Sequence, residues 1–323
     1  MHVHDFLKQF WDLTVNGLAF GAIYALIALG YTLVYGVLRL INFANSEVFM
    51  LGTFGPFVAL RLLGIESLGS KGYPYRSGIE LIGILALMLV FAMVFSTLTA
   101  VGLERLAYRP LRKRNAPRLN YLISAIGASF VLQEVVATWG ASKREQYALP
   151  RVLKDTTLFT IGQAGVRLSH VIVIVGALVM MLLLTTFVSK TRVGRGIRAV
   201  AQDGETARLM GVNTDRIILI TFIVGGLMAG GAAFLFEVYR GFTRYNTGFQ
   251  LGVKAFTAAV LGGIGNIRGA LVGGLLLGLI ETWASGLLGT SQWKDVSAFV
   301  VLVLVLLVRP TGLLGESLGR ARA

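Results

Sequence analysis

The residues that could do chemistry are few, and the first question is what kind of chemistry they allow. The chain has three histidines and no cysteine. His2 and His4 sit at the extreme N-terminus and His170 at the edge of an apolar run, so neither a metal-ligand set nor a Ser-His-Asp arrangement is at hand. No G-x-x-x-x-G-K-[ST] phosphate loop occurs, so the chain does not bind ATP in that manner. The expectation is a protein with no catalytic residue, no metal and no cofactor of its own. Two places remain. Glu47 stands alone near one end of an apolar stretch, where a carboxylate is costly and faces a bundle interior or an aqueous cavity. It either lines a path or caps a helix beginning near Ser46, and capping is the favoured reading. The other place is Asp203–Asn213. Asp203 is a good N-cap, Glu205 puts negative charge in the first turn, and Gly211 suits a left-handed stop. Thr206, Ala207, Leu209 and Met210 offer a small apolar face about two turns long. So short a helix gains stability by packing on something, or it lies on lipid headgroups beside Arg195, Arg198 and Arg208.

The elements that carry these residues are membrane spans. Of 323 residues 55% are hydrophobic and 14% charged, about half the charge of a soluble domain. Mean hydropathy is +0.73. Disorder and a collagen-like fold are excluded by the same composition. A span needs about 20 apolar residues. Leu13–Leu38, Leu81–Leu103, Val171–Ser189 and Ile217–Phe236 are long charge-free runs; Leu119–Ser142 and Leu40–Leu60 add two more, each with one Glu. The last third is less regular. Ala255–Ile267, bounded by Lys254 and Arg268, is short and holds Gly262, Gly263 and Gly265, like the broken segments of transporters. It either crosses over 255–263 or re-enters. Gly269–Leu288 and Val296–Val308 follow, ended by Arg309-Pro310. The expected fold is all-α and polytopic with about 8–9 transmembrane helices, one of them Gly-interrupted, in a single domain over 1–323 with a loop at 190–216. Met1–Asp12 carries Asp5, Lys8 and Asp12 and reads as the head of a retained span, not a cleaved leader. Glu134, Glu237 and Glu281 lie near span ends and read as interfacial, while Lys254 and Arg268 read as headgroup anchors.

The net charge of +14 sits mainly in loops. Glu104–Arg118 holds six basic residues, Lys190–Arg216 six more, and Arg309, Arg320 and Arg322 follow in the tail. Topology and anionic lipid explain them without a nucleic-acid partner. With nine crossings all three regions fall on the cytoplasmic side, the N-terminus outside and the C-terminus inside. Ala141–Ser169, with five basic residues on the outer side, opposes this.

Several segments carry a resemblance. Glu205-Thr-Ala-x-x-x-Gly211 is similar to the E-A-A-x-x-x-G coupling motif of bacterial ABC-importer permeases, with Thr206 in place of the first Ala. Gly30–Gly52, Glu104–Arg112, Leu122–Glu134, Gly194–Ile217, Lys254–Glu281 and Leu307–Gly315 resemble, in order and spacing, the branched-chain amino-acid permease family. The likeness spans almost the whole chain. It implies an inner-membrane subunit forming half of a translocation pathway for branched-chain or related amino acids. The partners implied are a second related permease, two cytoplasmic ATPase subunits that use ATP and Mg²⁺, a soluble solute-binding protein, and membrane lipid. It assigns Asp203, Glu205, Thr206, Ala207, Met210, Gly211, Val212 and Asn213 to coupling. Asn42, Asn45, Glu47 and Thr257 become candidates for the pathway. The I-x-L-P tail of the general motif is absent, as in most of this family. Where the family commonly reads N-F-A-H-G-E, this chain has Asn42-Phe43-Ala44-Asn45-Ser46-Glu47, which changes polarity and backbone freedom at that point. An ion-coupled transporter or channel using Glu47 is the alternative; it would want coupled ionisable groups in several spans and leaves the 203–211 helix without a role.

Overall fold

The computed structural model describes residues 2–65, 76–139, 147–150, 152–162, 164–289 and 293–315. Arg320 and Arg322 of the tail, and Lys143, Arg144 and Arg151 of the 141–169 region, lie outside them. Among the described residues nine helices make the bundle: α1 (His2–Leu38), α2 (Asn45–Leu62), α3 (Gly78–Leu103), α5 (Arg118–Trp139), α6 (Leu168–Lys190), α9 (Thr214–Arg240), α10 (Thr247–Gly262), α11 (Ile267–Leu288) and α12 (Trp293–Val308). A π-helical turn, Glu104–Tyr108, continues α3 into α4 (Arg109–Lys113) and turns Glu104 and Tyr108 inward. Between α6 and α9 run α7 (Arg192–Gln202) and α8 (Gly204–Leu209). Strand β1 (Tyr147–Ala148) pairs antiparallel with β4 (Phe242–Thr243), and β2 (Thr157–Ile161) with β3 (Ala164–Arg167).

Among the described residues six helical stretches are long and apolar enough to cross a membrane: Phe6–Leu38, Gly78–Lys113, Arg118–Thr138, Leu168–Lys190, Thr214–Arg240 and Ile267–Leu288. The other three helices of the bundle are shorter: α2 has 18 residues, α10 and α12 have 16 each. Sixteen residues rise about 24 Å, less than a ~30 Å hydrocarbon core.

Depth in the bundle follows residue size. The apolar window of α1 is 89% buried and that of α9 72%, against 22% for α3 and 22% for α5. Apolarity does not set depth in lipid, since the α3 and α6 windows are more apolar than that of α1 and only 22% and 28% buried. Small residues let the neighbours of α1 approach backbone to backbone. A Cβ on Gly274 would stand 2.5 Å from the Cα of Ala25, and one on Gly21 would stand 2.8 Å from the Cα of Leu275, so α1 and α11 touch main chain to main chain. Gly226 and Gly230 bring α9 equally close to Thr97 and Met93 of α3.

The segment expected as a 13-residue broken piece starts earlier than its charges suggest. α10 begins at Thr247 and carries Lys254 in mid-helix. It stops at Gly262, where Gly263 (φ 105°) and Gly265 (φ 95°) turn the chain into α11. Lys254 is therefore no headgroup anchor. Its Nζ lies 2.7 Å from Glu281 Oε1 and 2.6 Å from Asp295 Oδ1, and the Tyr24 hydroxyl donates to Glu281 Oε2 at 2.9 Å. Glu281 and Glu237 are both buried, contrary to the interfacial reading, whereas Glu134 is exposed. Glu281 goes in because a cation waits for it. Glu237 has no hydrogen-bond partner on either oxygen and lines a small hollow with Asp155, Arg167 and Arg240.

The ends of the helices sort into two faces. Arg39, Ser189, Arg198, Asn266, Arg268 and Pro310 line one cavity, and Arg39, Arg118, Gln202 and Asp203 line a neighbouring hollow. Asp12, Asp155, Arg167, His170 and Arg240 line a hollow at the opposite ends.

Candidate functional site: a capped loop helix and a buried polar break

The loop between α6 and α9 is built from caps. Thr191, extended after α6, accepts the N–H of Gly194 at 2.9 Å and starts α7. Gly194 packs on the carbonyls of Phe187 and Val188, where a side chain would overlap main chain, so α7 leaves α6 through a tight corner. The Arg198 guanidinium donates back to the Val188 carbonyl at 2.6 Å and to that of Ser189 at 3.2 Å, completing the end of α6. α7 buries Gly194, Ile197 and Val200, three apart, as a helix lying flat on the bundle must. Its far end is held by α1: Arg39 donates to the carbonyls of Ala201 at 3.2 Å and Gln202 at 3.0 Å.

Asp203 then caps α8 as its position suggests. Its Oδ1 accepts the N–H groups of Glu205 at 2.9 Å and Thr206 at 3.2 Å, and the Thr206 hydroxyl donates to Oδ2 at 2.6 Å. These donors, the Thr206 hydroxyl foremost, hold the Asp203 carboxyl below the usual aspartate range. Glu205 stands in the first turn. At the other end Gly211 takes φ 85°, with its N–H donating to Arg208 and the Val212 N–H to Ala207. No atom lies within 4 Å of where a Gly211 Cβ would be, so glycine is required here by backbone conformation alone. Asn213 accepts the N–H of Arg216 at 3.0 Å and caps α9.

The expected single apolar face divides in two. Ala207 is 5% exposed and faces the bundle, while Leu209 and Met210 are 87% and 80% exposed. Leu209, two positions from Ala207, points to another side of the helix, and Met210 lies beyond the end of α8 and leaves the path on which it would stand above Ala207. Two large apolar side chains stand uncovered at the tip of a rigid, doubly capped loop. Beside it Arg112 bonds Glu104 at 2.7 Å and Asp215 at 3.1 Å, tying the end of α3 to the start of α9.

The second site is the break between α1 and α2. Arg39 has φ 50°, an uncommon value for a non-glycine residue, and the chain turns through Asn42–Ala44 before α2 starts. Ala44 in the cap position has no side-chain acceptor. The Asn42 side-chain oxygen accepts the Tyr108 hydroxyl at 2.6 Å. Glu47 is fully buried and makes no helix cap. Its Oε1 accepts Ser129 of α5 at 3.1 Å and Ser46 at 3.4 Å, and its Oε2 has no partner. The Asn45 Nδ2 is also unpartnered. Gly248 and Gly252 of α10 press on this break, the former so closely that a Cβ would lie 2.8 Å from Glu47 Oε2. Asn42, Asn45 and Glu47 thus gather at one turn. Thr257 does not bond to them; its hydroxyl donates to the Val253 carbonyl of its own helix at 2.9 Å. Ser129 and Tyr108 complete the cluster and were not singled out by the sequence. A small polar residue in an apolar run is the one trace of Ser129, and Tyr108, in a charged segment, has none. Among the described residues no three His, Asp or Glu side chains come together as metal ligands would.

Comparison with known proteins agrees along the chain. The family model described as the branched-chain amino acid transport system permease component matches residues 13–306. The chain is 43% identical over 321 residues to the high-affinity branched-chain amino acid transport system permease protein BraD of Pseudomonas aeruginosa, covering 97% of each. It is 41% identical over 320 residues to the corresponding permease protein LivH of Escherichia coli, covering 96% of each. A more distant likeness, 36% over 141 residues and 41% of this chain, is to the autoinducer 2 import system permease protein LsrC of Photorhabdus luminescens. No solved structure matches the chain.

Proposed function

Because the chain belongs to the branched-chain amino-acid transport permease family, we propose that it forms half of a solute pathway whose gating is driven through α8. It is a non-catalytic permease subunit of an ATP-hydrolysing importer and a multi-pass inner-membrane protein. Its solutes are leucine, isoleucine and valine. It works with a second related permease, two cytoplasmic ATPase subunits that bind ATP and Mg²⁺, and a solute-binding protein on the outside.

The observation that carries the coupling assignment is the uncovered pair Leu209 and Met210 on a helix fixed at both ends by Asp203 and Gly211. A docking element has to be stiff to pass on a displacement and apolar to be gripped. The residues assigned to coupling form one continuous surface turn, Asp203 to Asn213. The whole 1–323 chain is one permease domain, with 190–216 as its coupling loop. All nine helices cross, α10 and α12 as short spans, which leaves the N-terminus outside and the C-terminus cytoplasmic. The gathering of Arg39, Arg118, Arg198 and Arg268 at one set of helix ends supports that orientation. The pathway runs past Asn42, Asn45 and Glu47, with Thr257 one helix away.

Reconstitution of the complete complex tests this reading. ATP-dependent uptake should favour branched-chain amino acids over other amino acids, amides and urea, and the permease alone should accumulate nothing. Concentrative, ATP-independent uptake by this chain alone would overturn it.

A further inference from the structure

The largest of the described cavities lies at the arginine-bearing ends of the helices, has a volume of about 770 Å³, and is used by nothing above. Its walls are mostly apolar, with Leu33, Val188 and Ile264 from three different parts of the chain. Its rim carries three guanidinium groups, Arg39, Arg198 and Arg268, all exposed. No acidic side chain lines it among the described residues. Arg39 and Arg198 each commit one terminal nitrogen to main-chain carbonyls, those of Ala201 and Gln202 and those of Val188 and Ser189, so donors of both remain free. Arg268 makes no side-chain hydrogen bond or ion pair among the described residues.

An apolar chamber with a cationic mouth fits an anionic amphiphile. A zwitterionic amino acid fits poorly, because its ammonium group would meet three positive charges and no carboxylate. Basic pockets between helices on the cytoplasmic side are suited to acidic lipid headgroups. We propose that this cavity holds one anionic phospholipid of the cytoplasmic leaflet, its phosphate on Arg39, Arg198 and Arg268 and its acyl chain against Leu33, Val188 and Ile264. The inference rests on that face being cytoplasmic. The bound phosphate would tie the end of α1, α7 and the start of α11 together. Arg39 reaches the last two residues of α7, directly before Asp203, so the lipid stiffens the base on which α8 stands.

The test uses the whole transport complex purified in mild detergent. Native mass spectrometry after exchange into mixed phosphatidylcholine and phosphatidylglycerol micelles reads the lipid retained, whether or not the complex transports anything. The wild type should retain phosphatidylglycerol in preference to phosphatidylcholine. Arg268→Gln, which breaks no bond within the protein, should lower that preference about fivefold, the equivalent of about 1 kcal/mol for one basic group. Arg268→Lys should keep most of it. Addition of inorganic phosphate should not displace the lipid. Equal retention of the two lipids by the wild type would overturn the assignment, as would a full preference in Arg268→Gln. Displacement by inorganic phosphate would also overturn it and mark a simple ion site.

Discussion

Lys254 and Glu281 meet at 2.7 Å between α10 and α11, helices joined by a four-residue turn and pressed together through Gly262, Gly269 and Gly273. Lys254 neutralises the buried Glu281 and shares its charge with the exposed Asp295 at 2.6 Å. Removing one member of a buried pair strands the other charge, at a cost of about 3–5 kcal/mol. Lys254→Met should therefore reduce the amount of folded permease in the membrane and lower its unfolding temperature in detergent. Lys254→Met combined with Glu281→Gln should recover most of the loss. If the single variant proved as stable as the wild type, the pair would contribute nothing to the packing of α10 and α11.

Gly211 is surrounded by open space, so any effect of substitution comes from its φ of 85°. Gly211→Val should cost roughly 1–2 kcal/mol locally and misdirect the chain into α9. Insertion should persist while ATP hydrolysis and uptake separate. Gly211→Asn should be milder, because asparagine enters the left-handed region more readily. Parallel measurement of hydrolysis and uptake in proteoliposomes checks both; normal coupling in Gly211→Val would remove α8 from the transmission path.

Leu209 and Met210 touch little of their own subunit. Replacing them together by Asp should leave the thermal stability of the isolated permease within about 0.5 kcal/mol of wild type, as for other exposed positions. The same change should release the ATPase subunits on size-exclusion chromatography. Co-elution of the full complex would show that the grip lies elsewhere.

The proposed pathway role of Glu47 is carried by its hydrogen bonds to Ser129 and Ser46. Glu47→Gln preserves an acceptor for Ser129 and should keep most of the ATP-driven uptake. Glu47→Ala removes that acceptor, at about 1–3 kcal/mol, and opens a void beside Gly248. Abolished uptake in Glu47→Gln with an intact complex would point to a required charge.

The orientation is open to labelling, because the chain contains no cysteine. Arg114→Cys should react with a membrane-impermeant maleimide only from the cytoplasmic side, and Thr160→Cys only from outside. Both positions are exposed. The reverse pattern would invert every assignment of face.

What could be read from the sequence was local. Asp203, Glu205 and Gly211 declare a helix with its cap and stop within nine residues, because capping joins groups two to four positions apart. The long spans were legible for the same reason. Lys254 and Glu281 were misplaced at the membrane surface because each alone is too costly to bury, and only the turn at Gly263–Asn266 brings them together. Ser129 and Tyr108 were missed because their partners, Glu47 and Asn42, are 82 and 66 residues away. Leu209, two positions from Ala207, lies on another side of the helix, and Met210 would join Ala207 only if α8 went on for another turn. A six-residue helix has no full periodicity to read.

The seam between α1 and α11 joins helices far apart in the sequence, and that sets a clock. Roughly 230 residues separate Leu38 from Ile267, so at about 5–20 residues per second the first helix waits roughly 10–50 s for its partner to leave the ribosome. Throughout that interval the face bearing Gly17 and Gly21 has no backbone to meet. Nascent chains stalled before Gly274 would all carry this bare stripe, and it stays unpaired until α11 has been made.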